Sequence, residues 1–339
     1  MLGDVELADN LAIARNLCAS AGKMSPVALT RLAGGKNNRV YRVECEDNGL
    51  FVMKHYHVDP RDPRDRLGHE WQFLSYIWSR DVRTVPEPFA FDRGTNSALY
   101  SFVPGKKIEQ AAIDQALVDQ AADFILAANA SPRDPNKLEP GSESCFSLSD
   151  HAATVERRVA RLAALDPDAP HRDRAKLLVQ ESLLPAWQNI KTRIHATRGE
   201  AELVPPQEYC VSPSDFGFHN ALVDADGRAI FIDFEYAGRD DPAKLVCDFF
   251  CCPEIRVPIR FRDGFIQKLR KGLALGPGFS QRCDLLIDAY RIKWACIILN
   301  DFLPLGAARR EFAASGERDA RCVAQLAKAT LMLAEIGQK

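Results

Sequence analysis

The sequence predicts an α+β protein of two lobes, an N-terminal antiparallel β-sheet lobe carrying one helix and a larger, mainly helical C-terminal lobe. Three observations predict it. Short apolar runs broken by Gly- and Asn-containing turns dominate up to about residue 101, apolar residues at helical spacing dominate from Ile108 onward, and 339 residues exceed what one core usually serves. The lobes are expected to be residues 1–101 and 102–339. Apolar residues make up 46% of the chain, enough for a sizeable core in each.

Taken in order, Met1 to Ala21 carries Asp4, Glu6, Asp9 and Arg15 among apolar residues at helical spacing, unlike the basic start and apolar centre of a signal peptide. Val27 to Leu32, Val40 to Cys45 and Leu50 to His55 read as strands, the first two joined through Gly34 and Gly35 and the next two by Glu46-Asp47-Asn48-Gly49. Gly34 and Gly35 allow close backbone approach to a ligand, and successive N–H groups in such a turn can cover phosphate oxygens, although a plain hairpin turn has the same composition. The prolines of Asp59-Pro-Arg-Asp-Pro-Arg-Asp65 forbid regular structure there. Arg66 to Trp78 has helical spacing, and Leu99 to Val103 is an apolar strand cut off by Pro104-Gly105. Helices are expected over about 109–130, 150–165 and 171–199, the last interrupted or bent at Pro185, with 131–149 as the longest loop. Ala221 to Asp224 and Ala229 to Phe234 flank an Asp226-Gly227 step and read as a hairpin. Asp241-Pro242 is a helix N-terminus signature, and Leu285 to Leu303 is again helical.

The hairpin is where the chemistry concentrates. Folding the chain about Asp226-Gly227 brings Asn220 and Asp233 to one open end of the ladder, with Asp215 in the irregular segment before the first strand. Hard cations such as Mg2+ take oxygen ligands, one or two from protein and the rest from phosphates and water, so Asn220 with Asp233 suits a nucleotide-bound metal. Asp215 is then left to orient an acceptor hydroxyl and take its proton. Upstream, alternation places Lys54 on an otherwise apolar strand face, where an ammonium is costly to desolvate unless paired. Glu70, sixteen residues on and in the first turns of the predicted helix, is the natural partner, as in the kinase arrangement where a strand Lys contacts the α/β phosphates. The alternative for both is an ordinary solvated charge.

Asp215-Phe-Gly-Phe-His-Asn220, followed by Ile232-Asp233-Phe234-Glu235-Tyr236 and Asp241-Pro242, resembles the aminoglycoside phosphotransferase and choline kinase family. The resemblance implies a protein-kinase-like fold, ATP and Mg2+ as cofactors, Asp215 as catalytic base, and Asn220 and Asp233 as metal ligands. Two departures are visible. Pro213 and Ser214 stand where the family usually has His and Gly, so other groups must fix the loop, and Leu245 stands where an acid is usual, the next acid being Asp248. Backbone groups over Ser101 to Val103, where the lobes of such a fold are joined, could hold an adenine edge; a plain strand and turn is the alternative.

For the acceptor, a small-molecule hydroxyl of a sugar, amino sugar, aminoglycoside or amino alcohol is expected, and candidate contacts are Glu235, Asp248, Arg291, Trp294 and Asp301. Trp294 with Asp301 could stack on a sugar or cation, and Arg291 could take an anionic group; the apolar members of that helix read better as core. Other readings are a catalytically degenerate kinase-like nucleotide-binding protein or a choline/ethanolamine-type kinase. A protein kinase is disfavoured, since only seven residues separate Asp233 from Asp241, too few for a peptide-docking activation segment. With 44 basic against 46 acidic residues and a formal charge of -2, nucleic acid and anionic membrane are not expected partners. The ten scattered cysteines, without paired metal spacing, point to thiols in a reducing cytoplasm.

Overall fold

In the computed structural model of the chain, residues 4–32, 38–58, 62, 64–131, 134–197, 199, 201–304 and 318–338 are described. The chain forms two compact units, Met1–Ile108 with Asn220–Ala237 and Glu109–His219 with Gly238–Lys339. Its strands are β1 (Pro26–Leu32), β2 (Asn38–Cys45), β3 (Leu50–Tyr56), β4 (Pro88–Asp92), β5 (Ser97–Ser101), β6 (Lys106–Lys107), β7 (Cys210–Ser212), β8 (Ala221–Val223), β9 (Ala229–Phe231) and β10 (Gly238–Asp240). Its α-helices are α1 (Asp4–Ser20), α2 (Arg66–Trp78), α3 (Gln115–Ala128), α4 (Leu148–Arg161), α5 (Arg172–Leu178), α6 (Leu184–His195), α7 (Pro242–Cys251), α8 (Arg262–Gly272), α9 (Pro277–Ile298) and α10 (Arg318–Ala334). The predicted turn at Gly34 and Gly35 lies outside the described residues.

In the first unit, β1 to β5 form one antiparallel sheet in the order β1-β2-β3-β5-β4. Alternation along β3 decides its use. Phe51 and Met53 join Tyr41, Val43 and Cys45 of β2 and Ala14, Leu17 and Cys18 of α1 in a buried core, so Lys54 projects from the opposite face. Asp65 caps α2, its carboxylate accepting from Gly68 N at 2.8 Å. A small three-stranded sheet, β6-β8-β9, carries the predicted hairpin, with Gly227 at φ +78° in the turn. β9 stops at Phe231, earlier than predicted. Asp233 has a φ of +67°, which no strand residue adopts, so the acid sits in a turn beyond the strand.

In the second unit every residue of α7 is buried, and α7 packs on α9, which also carries α4 and α10. The segment expected to be interrupted or bent at Pro185 instead carries a π-helical turn over Val179–Leu183, which joins α5 to α6, with Pro185 in the first turn of α6. β7 pairs antiparallel with β10, and Asn129 at the end of α3 clamps β7 by donating to Val211 O at 2.9 Å and accepting from Val211 N at 2.7 Å. No helix among the described residues is long and apolar enough to cross a membrane.

Candidate active site

In the first unit the site is built around Lys54. Its Nζ lies 2.6 Å from Glu70 Oε2 and 2.5 Å from Asp233 Oδ1, and the residue is 6% exposed. The sequence-predicted pair therefore forms, with a third member. Glu70 is held from three sides, accepting from Lys54, from Tyr56 OH at 2.7 Å and from Phe234 N at 3.2 Å. Tyr56 OH also meets Tyr100 OH at 2.7 Å. Burial would lower the Lys54 ammonium's pKa, but Asp233 and then Glu70 override it and hold the group well above its ordinary value.

The turn that presents Asp233 is anchored on both sides. Ile232 N donates to Asn220 O at 2.9 Å, extending the β8–β9 ladder, in which Ala221 faces Phe231. Asn220 and Asp233 thus stand at the same open end, as the hairpin predicts. Phe234 stacks on Phe73 of α2 at 4.6 Å between centroids, both fully buried, and burial of each ring stabilises the turn by about 2–3 kcal/mol. Glu235 is 3% exposed and accepts from Asn38 Nδ2. Its carboxyl is held below the usual range by Lys54 and Asn38 against the opposing effect of burial.

Three carboxylates thus share one ammonium. Protein crowded around the Asp233 carboxyl, and then the charges of Glu235 and Glu70, push it up to about 6 against the pull of Lys54, while its side chain stays 43% exposed. An accessible carboxylate beside a carboxamide, in surroundings short of positive charge, fits a hard divalent cation. Among the described residues no group of three or more His, Cys, Asp and Glu side chains is arrayed for a metal. A cation held here would draw most of its ligands from elsewhere.

In the second unit, Asp215 stands on the loop leaving β7. Phe216 and Phe218 pack on Phe249 of α7 at 5.0 and 5.4 Å, pinning the loop on both sides of an acid whose own side chain is 34% exposed. Ser214, where the family usually has Gly, has a φ of +62° and a buried hydroxyl without a hydrogen-bond partner. The backbone need that a glycine meets is retained although the glycine is not. Ser214 N donates to Ser212 Oγ at 3.1 Å and Asp215 N to Pro213 O at 2.9 Å, so the loop is fixed by its own neighbours. His219 Nε2 lies 3.4 Å from Asp215 Oδ1, a contact sequence reasoning passed over although the histidine stands inside the motif.

Most residues expected to contact an acceptor are placed in the interior instead. Asp248 is 2% exposed, and its carboxylate accepts from Lys293 at 2.7 and 2.9 Å and from Trp294 Nε1 at 3.0 Å, with Lys244 at 3.3 Å. Arg291, 4% exposed, donates to Asp288 at 2.8 Å and to Gln338 O at 3.0 Å. Asp301 is 2% exposed, while Trp294 is half-buried. Such groups hold helices together, because a buried charge is tolerated only when paired. The spacing Asp240, Lys244, Asp248 at i, i+4 signalled this network. Asp241 caps α7 through Ala243 N at 3.0 Å and also binds Arg282 at 3.0 Å and His151 at 3.3 Å. Ser101, in the first unit, accepts from Glu87 N at 2.9 Å through its hydroxyl, and Val103 is half-buried beyond the strand end.

The model of the phosphotransferase enzyme family matches residues 28–282. The chain belongs to that family. No curated protein matches the sequence significantly. Among solved structures, this phosphotransferase is similar to the choline kinase LicA from Streptococcus pneumoniae, at 14% identity over 97% of this chain and 99% of that one, with a TM-score of 0.60. It is similar too to a macrolide 2'-phosphotransferase from Brachybacterium faecium, at 17% identity, 95% and 98% coverage and a TM-score of 0.56. A third is the amicoumacin kinase hAmiN, solved in complex with AMP-PNP and Ca2+, at 14% identity, 97% and 96% coverage and a TM-score of 0.56. The α+β, kinase-like fold follows from these likenesses, and by its family membership the chain is a phosphotransferase.

Proposed function

We propose that this phosphotransferase moves the γ-phosphate of ATP to a hydroxyl of a sugar, amino sugar, aminoglycoside or amino alcohol, in a reducing compartment such as the cytoplasm. The observation that carries the reading is the Lys54–Glu70–Asp233 array, an ammonium at 2.6 and 2.5 Å from two acids contributed by three separate segments. Its parts match the division of labour of phosphoryl transfer. Glu70 fixes Lys54 so that the ammonium can reach phosphate oxygens. Asn220 and Asp233 would hold Mg2+, which when bound would supply charge neutralisation on the phosphates. Asp215 orients the acceptor hydroxyl and takes its proton as the oxygen attacks phosphorus and ADP leaves. Trp294, half-buried, is the one of the expected helical acceptor contacts that retains notable exposure.

ATP consumption with Mg2+ over a panel of sugars, aminoglycosides and amino alcohols tests this. Asp215→Asn is expected to lower turnover by roughly 10²- to 10⁴-fold, the worth of a positioned proton acceptor, with nucleotide affinity nearly intact. Nucleotide binding without phosphorylation of any acceptor in a broad panel would instead establish a degenerate, binding-only protein.

A further inference from the structure

Asp215 needs a fixed orientation to act as a base, and the two residues immediately before it are Pro213 and Ser214 rather than His and Gly. An aspartate side chain rotates about two bonds, and misplacing a catalytic group by about 1 Å can cost on the order of 10²-fold in rate. The loop backbone is pinned by Phe216 and Phe218, and His219 acts on the carboxylate itself. Its Nε2 lies 3.4 Å from Asp215 Oδ1, and on the far side of the ring Nδ1 lies 3.4 Å from Cys252 Sγ.

The ring is seated as well as bonded. A Cβ added to Gly217 would meet His219 Nδ1 at 2.7 Å and Cε1 at 2.9 Å, so the imidazole lies flush against the glycine and a larger residue there would have to displace the ring. Cys252 is in turn rigid. It is 1% exposed and ends α7, its N–H donating to Asp248 O at 3.0 Å. A carboxylate oxygen only accepts, so the Nε2 that faces Asp215 is the ring's donor to it, with Cys252 Sγ as the hydrogen-bond partner of Nδ1.

We infer that His219, tethered by Cys252 and seated on Gly217, is a positioning residue that aims the Asp215 carboxylate at the acceptor hydroxyl. The inference rests on the reading of Asp215 as the base. It assigns the loop a brace that follows the acid, while the Ser214 hydroxyl before it has no hydrogen-bond partner.

The test uses Mg-ATP with water as the acceptor, read as ADP release, together with any acceptor the panel yields. His219→Phe, which keeps the ring volume and removes the donor, is expected to lower turnover about 10- to 100-fold with KM for ATP and melting temperature unchanged. His219→Gln, whose amide reaches the Nε2 position, should restore most of the rate. In an Asp215→Asn background His219→Phe should cost nothing further, since the two act as a unit. Additive losses, an undiminished rate in His219→Phe, or a Gln variant as slow as the Phe variant would overturn the positioning role and leave Asp215 as base. Full turnover in Asp215→Asn would overturn both. Independently of activity, the 15N resonance of His219 Nε2 should move in Asp215→Ala and that of Nδ1 in Cys252→Ala; unmoved resonances contradict the contact.

Discussion

Ser214 and Asp233 both occupy left-handed backbone, at φ +62° and +67°, one beside the proposed base and one bearing the proposed metal ligand. Such strain costs of order 1–3 kcal/mol and persists where surrounding structure over-determines it. At Ser214 it can be relieved. Ser214→Gly removes the strain and an unsatisfied buried hydroxyl, against a loss of roughly 0.5–1 kcal/mol to glycine's entropy, so a net gain of about 1 kcal/mol in urea-unfolding free energy is expected; destabilisation would show that the serine side chain has an unseen use. Glu70→Ala should go the other way, costing about 3–5 kcal/mol because Lys54 is left buried with one partner fewer, as measured by the same unfolding curves. Lys54 and Glu70 were legible in the sequence because alternation and helical period fix which face each side chain takes. Asp248, Arg291 and Asp301 were misjudged because period tells which residues share a face, not what covers it. His219 escaped notice since a histidine inside a motif looks like spacer until its ring nitrogens have partners.

Elements were legible where local chemistry sets their ends. The α2 helix runs from Arg66 to Trp78 as predicted because Asp65 caps it, and α7 begins at the Asp241-Pro242 signature. The hairpin was legible from Asp226-Gly227, but β9 ends early because Asp233 turns, and a turn made by a non-glycine residue leaves no compositional mark. The π turn before Pro185 was likewise hidden, as only the bend and not its helical type follows from proline. The helices α8 and α10 were not anticipated. Between elements, Gly238 of β10 lies so close to the chain at 139–141 that an added Cβ would stand 2.4 Å from both Glu139 O and Gly141 N. Those are backbone atoms that bond to Arg239. Gly238→Ala is therefore expected to destabilise the second unit by roughly 2 kcal/mol or more, within the range of overpacked sites, measurable as a lowered thermal midpoint; an unchanged midpoint would mean that the crossing gives way freely.

At the scale of the molecule, the chain passes between its two compact units at residues 108/109, 219/220 and 237/238. The motif Asp215 to Asn220 straddles the second of these passages, so one sequence signature places the proposed base in one unit and a proposed metal ligand in the other. This is why the motif and the fold class could be read together from the sequence, while the acceptor could not: its contacts depend on which helical faces remain uncovered. Stability as a whole should fall in acid. Burial would raise the Glu143 carboxyl, but Arg158 at 2.6 Å overrides it and holds the group down to about 2 from 4.5. A carboxyl lowered by folding contributes fully above pH 4.5 and loses that contribution as pH falls through about 2, here roughly 1–3 kcal/mol. The difference in unfolding free energy between wild type and Glu143→Gln should accordingly narrow over that interval. The most direct measurement is calorimetric titration with AMP-PNP, with and without Mg2+, of wild type, Asp215→Asn and Asp233→Ala. Tight, Mg2+-dependent binding that survives Asp215→Asn and is lost in Asp233→Ala is the predicted result; binding lost equally in both variants, or indifferent to Asp233, would contradict the assignment of nucleotide and metal to one acid and proton transfer to the other.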